Sequence, residues 1–378
     1  MHIIFLIIAL LVFVFLHLYL FIRGWQALPE NRFLRASYTV VFFLLVVSII
    51  TGILIRNSLP SKPCIAFKLI GTSWIVFFTF LLLAALLADL LRVLNYFFKI
   101  FPEWVTTHYS KVKLIYFASI LSFMFIISLY GFKWFNNTKT VRLDLAVTKD
   151  NYQFVDLNIV AASDFHIGSI IHKEMLAKWV EIINKENPDV ILLAGDLFDR
   201  SFDFAESQSI EKELKKLKSR YGVYAVLGNH EYYAGVKKAI NCIEQSGIML
   251  LRDHAGTTDN RFVIIGRDDA TNKKRKTVDS LMTGLDPTLP KILLDHQPYL
   301  NESVKNEIDL QISGHLHNGQ IFPYNLLVSK LWELSYGYRK IGNTHFYVSS
   351  GLGVSYVPMR LGTQSEIVQI QLKSKSEK

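Results

Sequence analysis

Cysteine is scarce in this chain of 378 residues, which contains only Cys64 and Cys242, one in each half. Two cysteines so far apart exclude a disulfide framework and a cysteine-based metal site, and they leave the cellular compartment open. The chain also lacks internal repeats and low-complexity tracts, which excludes a repeat architecture. Only the tail "KSKSEK", residues 373–378, is expected to be disordered.

Charged residues are almost absent from four long stretches near the start of the chain. These are Met1–Phe21 and, roughly, Tyr38–Ile55, Leu69–Leu91 and Leu114–Phe132, in which Asp89 is the only acid or base. Buried helices of soluble proteins rarely stay apolar on every face over such a length, so four transmembrane helices are predicted. The first stretch could instead be a signal peptide, but it lacks a basic n-region and a small-x-small cleavage site.

Acidic residues are also scarce in this region, which has ten Lys and Arg but three acids before residue 133. The remaining chain is nearly balanced, so most of the net charge of +9 flanks the predicted helices. Bases beside helix ends are the usual signal of membrane topology and of contact with lipid headgroups. Membrane lipids are therefore expected partners, and nucleic acid is not.

The distribution of bases gives a preference for the orientation in the membrane. With the N-terminus outside, the inner loops would hold seven bases, namely Arg23, Arg32, Arg35, Arg92, Lys99, Lys111 and Lys113. The opposite orientation would put six inside, namely Arg56, Lys62, Lys68, Lys133, Lys139 and Arg142. The first helix has no charge before it and three arginines after it, which favours an outside N-terminus and an extracytoplasmic position for everything after the fourth helix.

From about residue 140, short apolar runs alternate with turn residues and amphipathic segments. The predicted strands are "LNIVAAS", "DVILLAG", "VYAVLG", "RFVIIG", "KILLDH", "LQISG", "HFYVSSG" and "EIVQIQL". The helical patterns "HKEMLAKWVEIINKEN" and "AESQSIEKELKKLKSRY" lie between the early strands. This alternation predicts a layered α/β domain.

Polar side chains follow five of these strands. Those able to bind metal or transfer a proton are Asp164, His166, Asp196, Asn229, His230, His296, His315 and His317. A single Asp after a strand is most often a helix N-cap, and a single His is most often a packed residue. Strand ends of an α/β sheet meet at one edge, however, so eight such side chains at five strand ends indicate a single site.

Carboxylate and imidazole without thiolate suit borderline divalent ions such as Mn, Fe or Zn. Eight candidates exceed what one ion uses. Two ions about 4 Å apart can share a carboxylate, activate a water and hold both the attacking and the leaving oxygen of a phosphoryl group. The residues therefore predict a centre with two divalent metal ions.

Five sequence blocks carry a resemblance to a known family. The blocks "DFHIG", "GDLFDR", "GNHEYY", "DHQP" and "GHLHNGQ" occur in the order typical of the calcineurin-like metallophosphoesterases. The aromatic segment after the last block and the closing "MRLGT", Met359–Thr363, resemble the membrane-associated bacterial members. The resemblance covers roughly residues 155–372 and implies a two-sheet αββα sandwich. It would follow a transmembrane region, 1–132, and a linker with a first strand, 133–154.

The resemblance also implies a role for each site residue. The implied ligands are Asp164, His166 and His317 for one ion, Asn229, His296 and His315 for the other, and Asp196 for both. His230 is expected to protonate the leaving oxygen as a general acid, or at least to face the phosphate as a cation. The alternative is that it only supports the ligands from beside Asn229. Asp199 is expected to orient a ligand histidine or to cap a helix rather than to bind metal.

The expected function is hydrolysis of a phosphate mono- or diester. The alternatives are a catalytically silent membrane scaffold or sensor, and a phosphatase acting on soluble nucleotides or phosphoproteins. A lipid-linked phosphate or pyrophosphate is favoured because the segment Ile321–Lys340 has more apolar residues than a surface loop needs. Leu331 and Trp332 in it are predicted to contact the substrate at the membrane interface. The alternative for this segment is a buried connector or an amphipathic helix packed on the sheet.

Overall fold

Two compact units make up the protein, Met1–Leu129 and Tyr130–Lys378. The computed structural model describes residues 2–54, 62–149, 156–200, 202, 205 and 208–374. Arg56, the last residues of the predicted linker and the tail beyond Ser374 therefore lie outside the described residues. The division after Leu129 comes slightly before the predicted boundary at residue 132.

The first unit is helical, and the fourth long helix continues into the second unit. The helices are α1 His2–Ala27, α2 Arg32–Leu54, α3 Lys62–Phe98, α4 Glu103–Thr107 and α5 Tyr109–Asn136. Among the described residues, α1, α2, α3 and α5 are long and apolar enough to cross a membrane, which confirms the four predicted helices. Each extends past its apolar run because the helical hydrogen bonding continues into polar flanks.

Aromatic and aliphatic side chains form the interior of the helical unit, around Phe42 and Trp74. Asp89 of α3 is the acid that the sequence places inside a predicted membrane helix. It accepts hydrogen bonds from Tyr19 at 2.7 Å and from Arg23 and Arg92 at 2.5 Å each. An acid within a membrane span is costly unless it is paired, and these contacts supply the partners.

The second unit is built from two six-stranded sheets. The first has the order β1-β12-β2-β3-β4-β5 and the second β10-β11-β9-β8-β7-β6. The strands of the first sheet are β1 Lys139–Val147, β2 Leu157–Ala162, β3 Val190–Leu193, β4 Val223–Ala225, β5 Met249–Leu250 and β12 Glu366–Ser374. Those of the second are β6 His254–Thr258, β7 Phe262–Gly266, β8 Lys291–Leu294, β9 Leu310–Ser313, β10 Gly337–Ile341 and β11 Thr344–Val348.

Helices cover the outer face of each sheet. Among the described residues they are α6 Lys173–Lys185, α7 Ile210–Leu214, α8 Asn229–Ala234, α9 Val236–Gln245, α10 Val278–Met282 and α11 Asn301–Lys305. A further helix, α12 Tyr324–Leu331, has no buried residue. Strand β2 shows how the layers form, since Val160 and Ala162 pack toward α6, α7 and α9 while Ile159 and Ala161 pack toward the second sheet. Burial on both faces explains the unbroken apolar runs of the central strands. The predicted αββα sandwich is confirmed.

Two local predictions differ from the structure. Of the helical pattern over residues 205–221, the structure describes residues 205 and 208–221, and within 208–221 the α-helix is α7, after which the backbone bonds change to three-residue spacing, as in Leu217 N–H to Leu214 O at 3.0 Å. Lys373 and Ser374 are not in a disordered tail, since both belong to β12. Strand β12 lies between β1, to which it is parallel, and β2, to which it is antiparallel.

Candidate metal centre

The eight predicted site residues follow β2, β3, β4, β8 and β9. In the first sheet, β2, β3 and β4 are parallel neighbours, as are β8 and β9 in the second, so their carboxyl ends lie at one edge of each sheet. All eight side chains are buried except that of His315, which is half-buried. The sandwich therefore holds a dense set of acids and imidazoles away from water.

Five of these residues have left-handed backbone conformations. They are Asp164, His166, Asp196, His315 and His317, with φ between 49° and 74°. Such conformations cost free energy for non-glycine residues and persist where the surroundings enforce them, typically at functional sites. Gly314, before His315, is needed because a Cβ there would collide with Asp164 Oδ2.

The first group of side chains consists of Asp164, His166 and His317. The two Nε2 atoms lie 2.9 Å apart, and Asp164 Oδ1 is 3.6 Å from His317 Nε2 and 4.0 Å from His166 Nε2. Asp164 is fixed by hydrogen bonds from Ser163 Oγ at 2.5 Å and from the His315 backbone N–H at 3.0 Å. Three potential ligand atoms thus converge on one small volume.

The second group consists of Asp196, His296 and His315. Asp196 Oδ2 is 3.3 Å from His296 Nε2 and 3.8 Å from His166 Nε2, so one carboxylate oxygen faces imidazoles of both groups. Its other oxygen accepts a hydrogen bond from the His230 backbone N–H at 2.8 Å. Asp196 therefore has the position that a carboxylate shared by two ions requires.

Several buried polar atoms at this site fit metal ions. His296 Nδ1 lies 2.7 Å from the carbonyl oxygen of Ala194 and must donate to it, because a carbonyl only accepts. His296 Nε2 then faces Asp196 Oδ2 at 3.3 Å, and Asn229 Oδ1 has no hydrogen-bond partner in the described part of the chain. A buried acceptor without a partner is costly, and a cation beside Asn229 Oδ1 would satisfy it.

Burial also keeps most of the imidazoles in the neutral form that binds metal. It lowers the pKa of His166 to about 3 and that of His315 to about 4, and it lowers the pKa of His317 well below its usual value. His296 differs, since burial is outweighed by the carboxylates of Asp196 and Asp164 and its pKa is raised. The donor set as a whole, oxygen and nitrogen without sulfur, suits borderline divalent ions.

His230 borders the first group but faces a different partner. Its ring lies 4.4 Å from that of His166, and its Nδ1 is 3.4 Å from Asp199 Oδ1. Burial lowers the pKa of His230, but the hydrogen bond with Asp199 and the charge of Asp196 outweigh it, and the net effect is a raised pKa. Asp199 thus contacts His230, and one of its carboxylate oxygens also lies within 4.8 Å of a ring nitrogen of His166, so these three residues form a third group that could hold an ion.

Three further residues near the site were not assigned a role from the sequence. Glu231 is fully buried and accepts hydrogen bonds from the backbone N–H groups of Asp196, Phe198 and Gly228, so it ties two site loops together. Arg200 lies over the rings of Tyr233 and Tyr356 at 5.3 and 5.4 Å. Glu231 lies in the block "GNHEYY" and Arg200 in the block "GDLFDR". Membership of these blocks was the indication in the sequence that the two residues belong to the site.

The third residue is Asp269, which lies after β7. It is fully buried, and its charge raises the pKa of both His296 and His315, against the lowering effect of burial. In the sequence, the indication of Asp269 was its position after a predicted strand, which is where the other predicted site residues also lie.

The two residues predicted to contact the substrate, Leu331 and Trp332, have different surroundings in the structure. The Trp332 ring lies 6.0 Å from the ring of His315 and 5.7 Å from that of Tyr299, so Trp332 is part of the site's surroundings. Leu331 is 70% exposed. No residue of α12 is buried, which excludes the alternative of a buried connector for this helix.

Comparisons with known proteins identify the family to which this chain is similar. The family model described as calcineurin-like phosphoesterase matches residues 157–319, which contain all eight site residues. An uncharacterized metallophosphoesterase of Helicobacter pylori is 34% identical over 59% of this chain and 61% of its own length. A transmembrane protein with metallophosphoesterase domain from Danio rerio is 32% identical over 62% of this chain and 57% of its own length.

A relative from Aquifex aeolicus, an uncharacterized metallophosphoesterase, is 30% identical over 58% of this chain and 86% of its own length. The chain thus spans less than two thirds of the Helicobacter and Danio relatives but most of the Aquifex one. The four apolar helices, together with a relative named as a transmembrane protein, indicate a membrane protein. With the sandwich, the clustered acids and imidazoles and these matches together, the chain belongs to the calcineurin-like metallophosphoesterases.

Proposed function

We propose that this protein is a membrane-anchored phosphoesterase that hydrolyses a phosphate mono- or diester with two divalent metal ions. The observation that carries the proposal is the pair of acid and imidazole groups joined by Asp196. A silent scaffold would not need to hold neutral imidazoles and acceptors without hydrogen-bond partners in a buried cluster, because each such atom costs free energy.

The site residues then divide into two sets of ligands. Asp164, His166 and His317 would hold one ion, Asn229, His296 and His315 would hold the other, and Asp196 would contact both. When bound, two ions of the Mn, Fe or Zn type activate a water and neutralise charge on the phosphate group. The carbonyl of Ala194 and the hydroxyl of Ser163 keep the ligand atoms oriented, as supporting groups commonly do around metals.

His230 and Arg200 would act on the substrate itself. His230 would deliver a proton to the leaving oxygen, held in place by Asp199 at 3.4 Å. Arg200, next to Asp199 in the chain, would bind a phosphate oxygen with its guanidinium. The two tyrosine rings and the hydrogen bond from Arg200 to the Tyr356 hydroxyl at 2.7 Å limit the positions that this cation can take.

A lipid-linked phosphate is the substrate class that we propose. Helix α12 presents Leu326, Leu327 and Leu331 at 53%, 56% and 70% exposure, and Phe322 just before it is 48% exposed. The helix ends at Leu331, and the ring of the next residue, Trp332, lies 6.0 Å from that of His315. Exposed apolar side chains in one short segment beside a phosphate site fit an acyl or prenyl chain better than a soluble nucleotide or phosphoprotein.

Replacing Leu331 by Ser should separate lipid from soluble substrates. We expect hydrolysis of a lipid phosphate in detergent to fall about tenfold, because a buried leucine side chain contributes about 1.5–3 kcal/mol of transfer free energy. Hydrolysis of p-nitrophenyl phosphate should stay unchanged, since the 70% exposed side chain lies outside the ligand set. The measurement is kcat/KM for both substrates on one preparation.

The double variant with Leu331→Ser and Trp332→Ser extends the test. Trp332 contacts a ligand imidazole, so the double variant should lose some activity on both substrates and much more on the lipid. Equal losses on both substrates, or none on either, would show that the segment is structural and would remove the argument for a lipid.

The catalytic unit is proposed to lie outside the cytoplasm. Arg23, Arg32 and Arg35 follow the apolar run of the first helix, and the positive-inside rule then places the C-terminal end of that helix inside. With four spans, Lys378 is expected outside. Alkaline phosphatase fused after Lys378 should be active and green fluorescent protein should be dark in a bacterial host, and the reverse result would place the unit inside.

A further inference from the structure

The helical unit contains a cavity of about 130 Å³ between three of its membrane helices. Its walls come from α1, α3 and α5, and the charged side chains that line it are Arg23, Arg92 and Lys113. No acid is among the lining residues described. The polar groups that share this cavity include Gln26 and the hydroxyl-bearing Tyr109 and Tyr116.

Positive charge exceeds negative charge around the cavity. Arg23 and Arg92 share one carboxylate, that of Asp89, with N–O distances of 2.5 Å each. Lys113 donates to the carbonyl oxygen of Gln26 at 2.8 Å and lies over the ring of Tyr109. Three cations therefore stand against one carboxylate, and a lysine ammonium has three donors, of which this contact uses one.

One of these cations also has a buried donor without a partner. Arg23 Nε is inaccessible to water and has no hydrogen-bond partner among the described residues. Its Nη atoms contact Gln26 and Asp89 at 3.1 and 2.5 Å, so the guanidinium is held in place at the wall of the cavity.

The cavity lies toward the ends of its helices. Gln26 and Ala27 are the last residues of α1, and Tyr109 is the first residue of α5. Tyrosine, arginine and lysine near the ends of membrane helices are characteristic of the headgroup region, where phosphate groups are the abundant anions. A guanidinium group can donate two parallel hydrogen bonds to a phosphate group. A single carboxylate shared by two arginines leaves some of these donors without an acceptor.

We propose that this cavity binds the phosphate group of an anionic lipid, with Arg23, Arg92 and Lys113 as its ligands. The excess of two positive charges matches a phosphomonoester headgroup better than the zwitterionic headgroup of a phosphatidylcholine. The inference concerns residues remote in sequence from the metal centre and does not depend on the proposed hydrolysis.

The test uses the full chain in a neutral detergent and hexadecylphosphonic acid as probe, because its C–P bond is not a phosphoester. Binding is measured by isothermal titration. We expect Lys113→Gln to weaken this binding about fivefold, which is the contribution of one lysine near an anionic headgroup, and Arg92→Gln to weaken it further. Lys111→Gln is the matched control, since Lys111 is exposed, lies two residues away on α5 and does not line the cavity.

Methylphosphonic acid tests whether a free anion is the ligand. We expect it to show no Lys113-dependent binding, because it lacks the alkyl chain that concentrates hexadecylphosphonic acid in the detergent micelle around the helices. If it binds as tightly as hexadecylphosphonic acid and with the same dependence on Lys113, the site takes a free anion and the lipid assignment is wrong. If the Lys113→Gln and Arg92→Gln proteins both bind hexadecylphosphonic acid like the wild type, the cavity is not an anion site.

Discussion

The Asp196→Asn protein is expected to lose activity down to the background rate and to lose much of its metal. In the wild-type protein, Asp196 Oδ2 is the carboxylate oxygen that faces Nε2 of both His166 and His296, at 3.8 and 3.3 Å. An amide lacks the negative charge that holds two cations close together, so their mutual repulsion would no longer be offset. Turnover of p-nitrophenyl phosphate and elemental analysis of the purified protein measure the two losses.

The matched control for this change is Asp144→Asn. Asp144 lies in β1, its side chain is 72% exposed, and it pairs with Lys373 at the surface. The same loss of one carboxylate there should leave metal content and turnover at the wild-type level, because exposed ion pairs contribute little. Full activity and a full metal complement in Asp196→Asn, with the wild-type protein loaded in parallel, would refute the shared-ligand assignment.

The His230→Ala protein should show the opposite combination of effects. We expect it to keep its metal and to lose about 10²–10⁴-fold in kcat, the usual contribution of a general acid. The loss should be large for an alkyl phosphate, whose leaving oxygen needs a proton, and small for p-nitrophenyl phosphate, whose leaving group is stable as an anion. Equal losses on both esters would show that His230 binds the phosphate and does not protonate the leaving group.

Asp199 gives a second check on the same assignment. Asp199→Asn should reduce alkyl phosphate hydrolysis less than His230→Ala does, because the imidazole remains and only its partner changes. The double variant should be no slower than His230→Ala alone, because Asp199 acts only by positioning the His230 imidazole, which is already absent. An additive loss would mean that Asp199 acts independently of His230.

The sequence predicted the layers of the sandwich and the convergence of its site for one physical reason. Central strands buried on both faces are continuous apolar runs, and their carboxyl ends meet at one edge. The polar residues after these apolar runs were therefore predicted from the sequence to lie in one site. The same rule applied to β7 would have found Asp269, whose charge acts on His296 and His315.

Contacts between separate loops could not be predicted in this way. Arg200 donates to a tyrosine 156 residues away in the chain, and the fully buried Arg360 donates to the carbonyl oxygens of Ser350, Gly351 and Gly353. Such pairs depend on how loops of irregular backbone fold over the sheet edge. The left-handed conformations of Asp164 and Asp196 belong to the same class, because propensity disfavours them and only the surrounding packing enforces them.

The position of β12 has a consequence for biosynthesis. This strand is made after all others in the sandwich, yet it lies between β1 and β2, which are made first. While the ribosome is adding residues 163–365, β1 and one side of β2 lack the strand with which they pair in the folded protein, so their backbone groups are open. Unpaired strand edges are templates for aggregation, so a nascent chain stalled before Glu366 would be a natural substrate for chaperones and quality-control proteases.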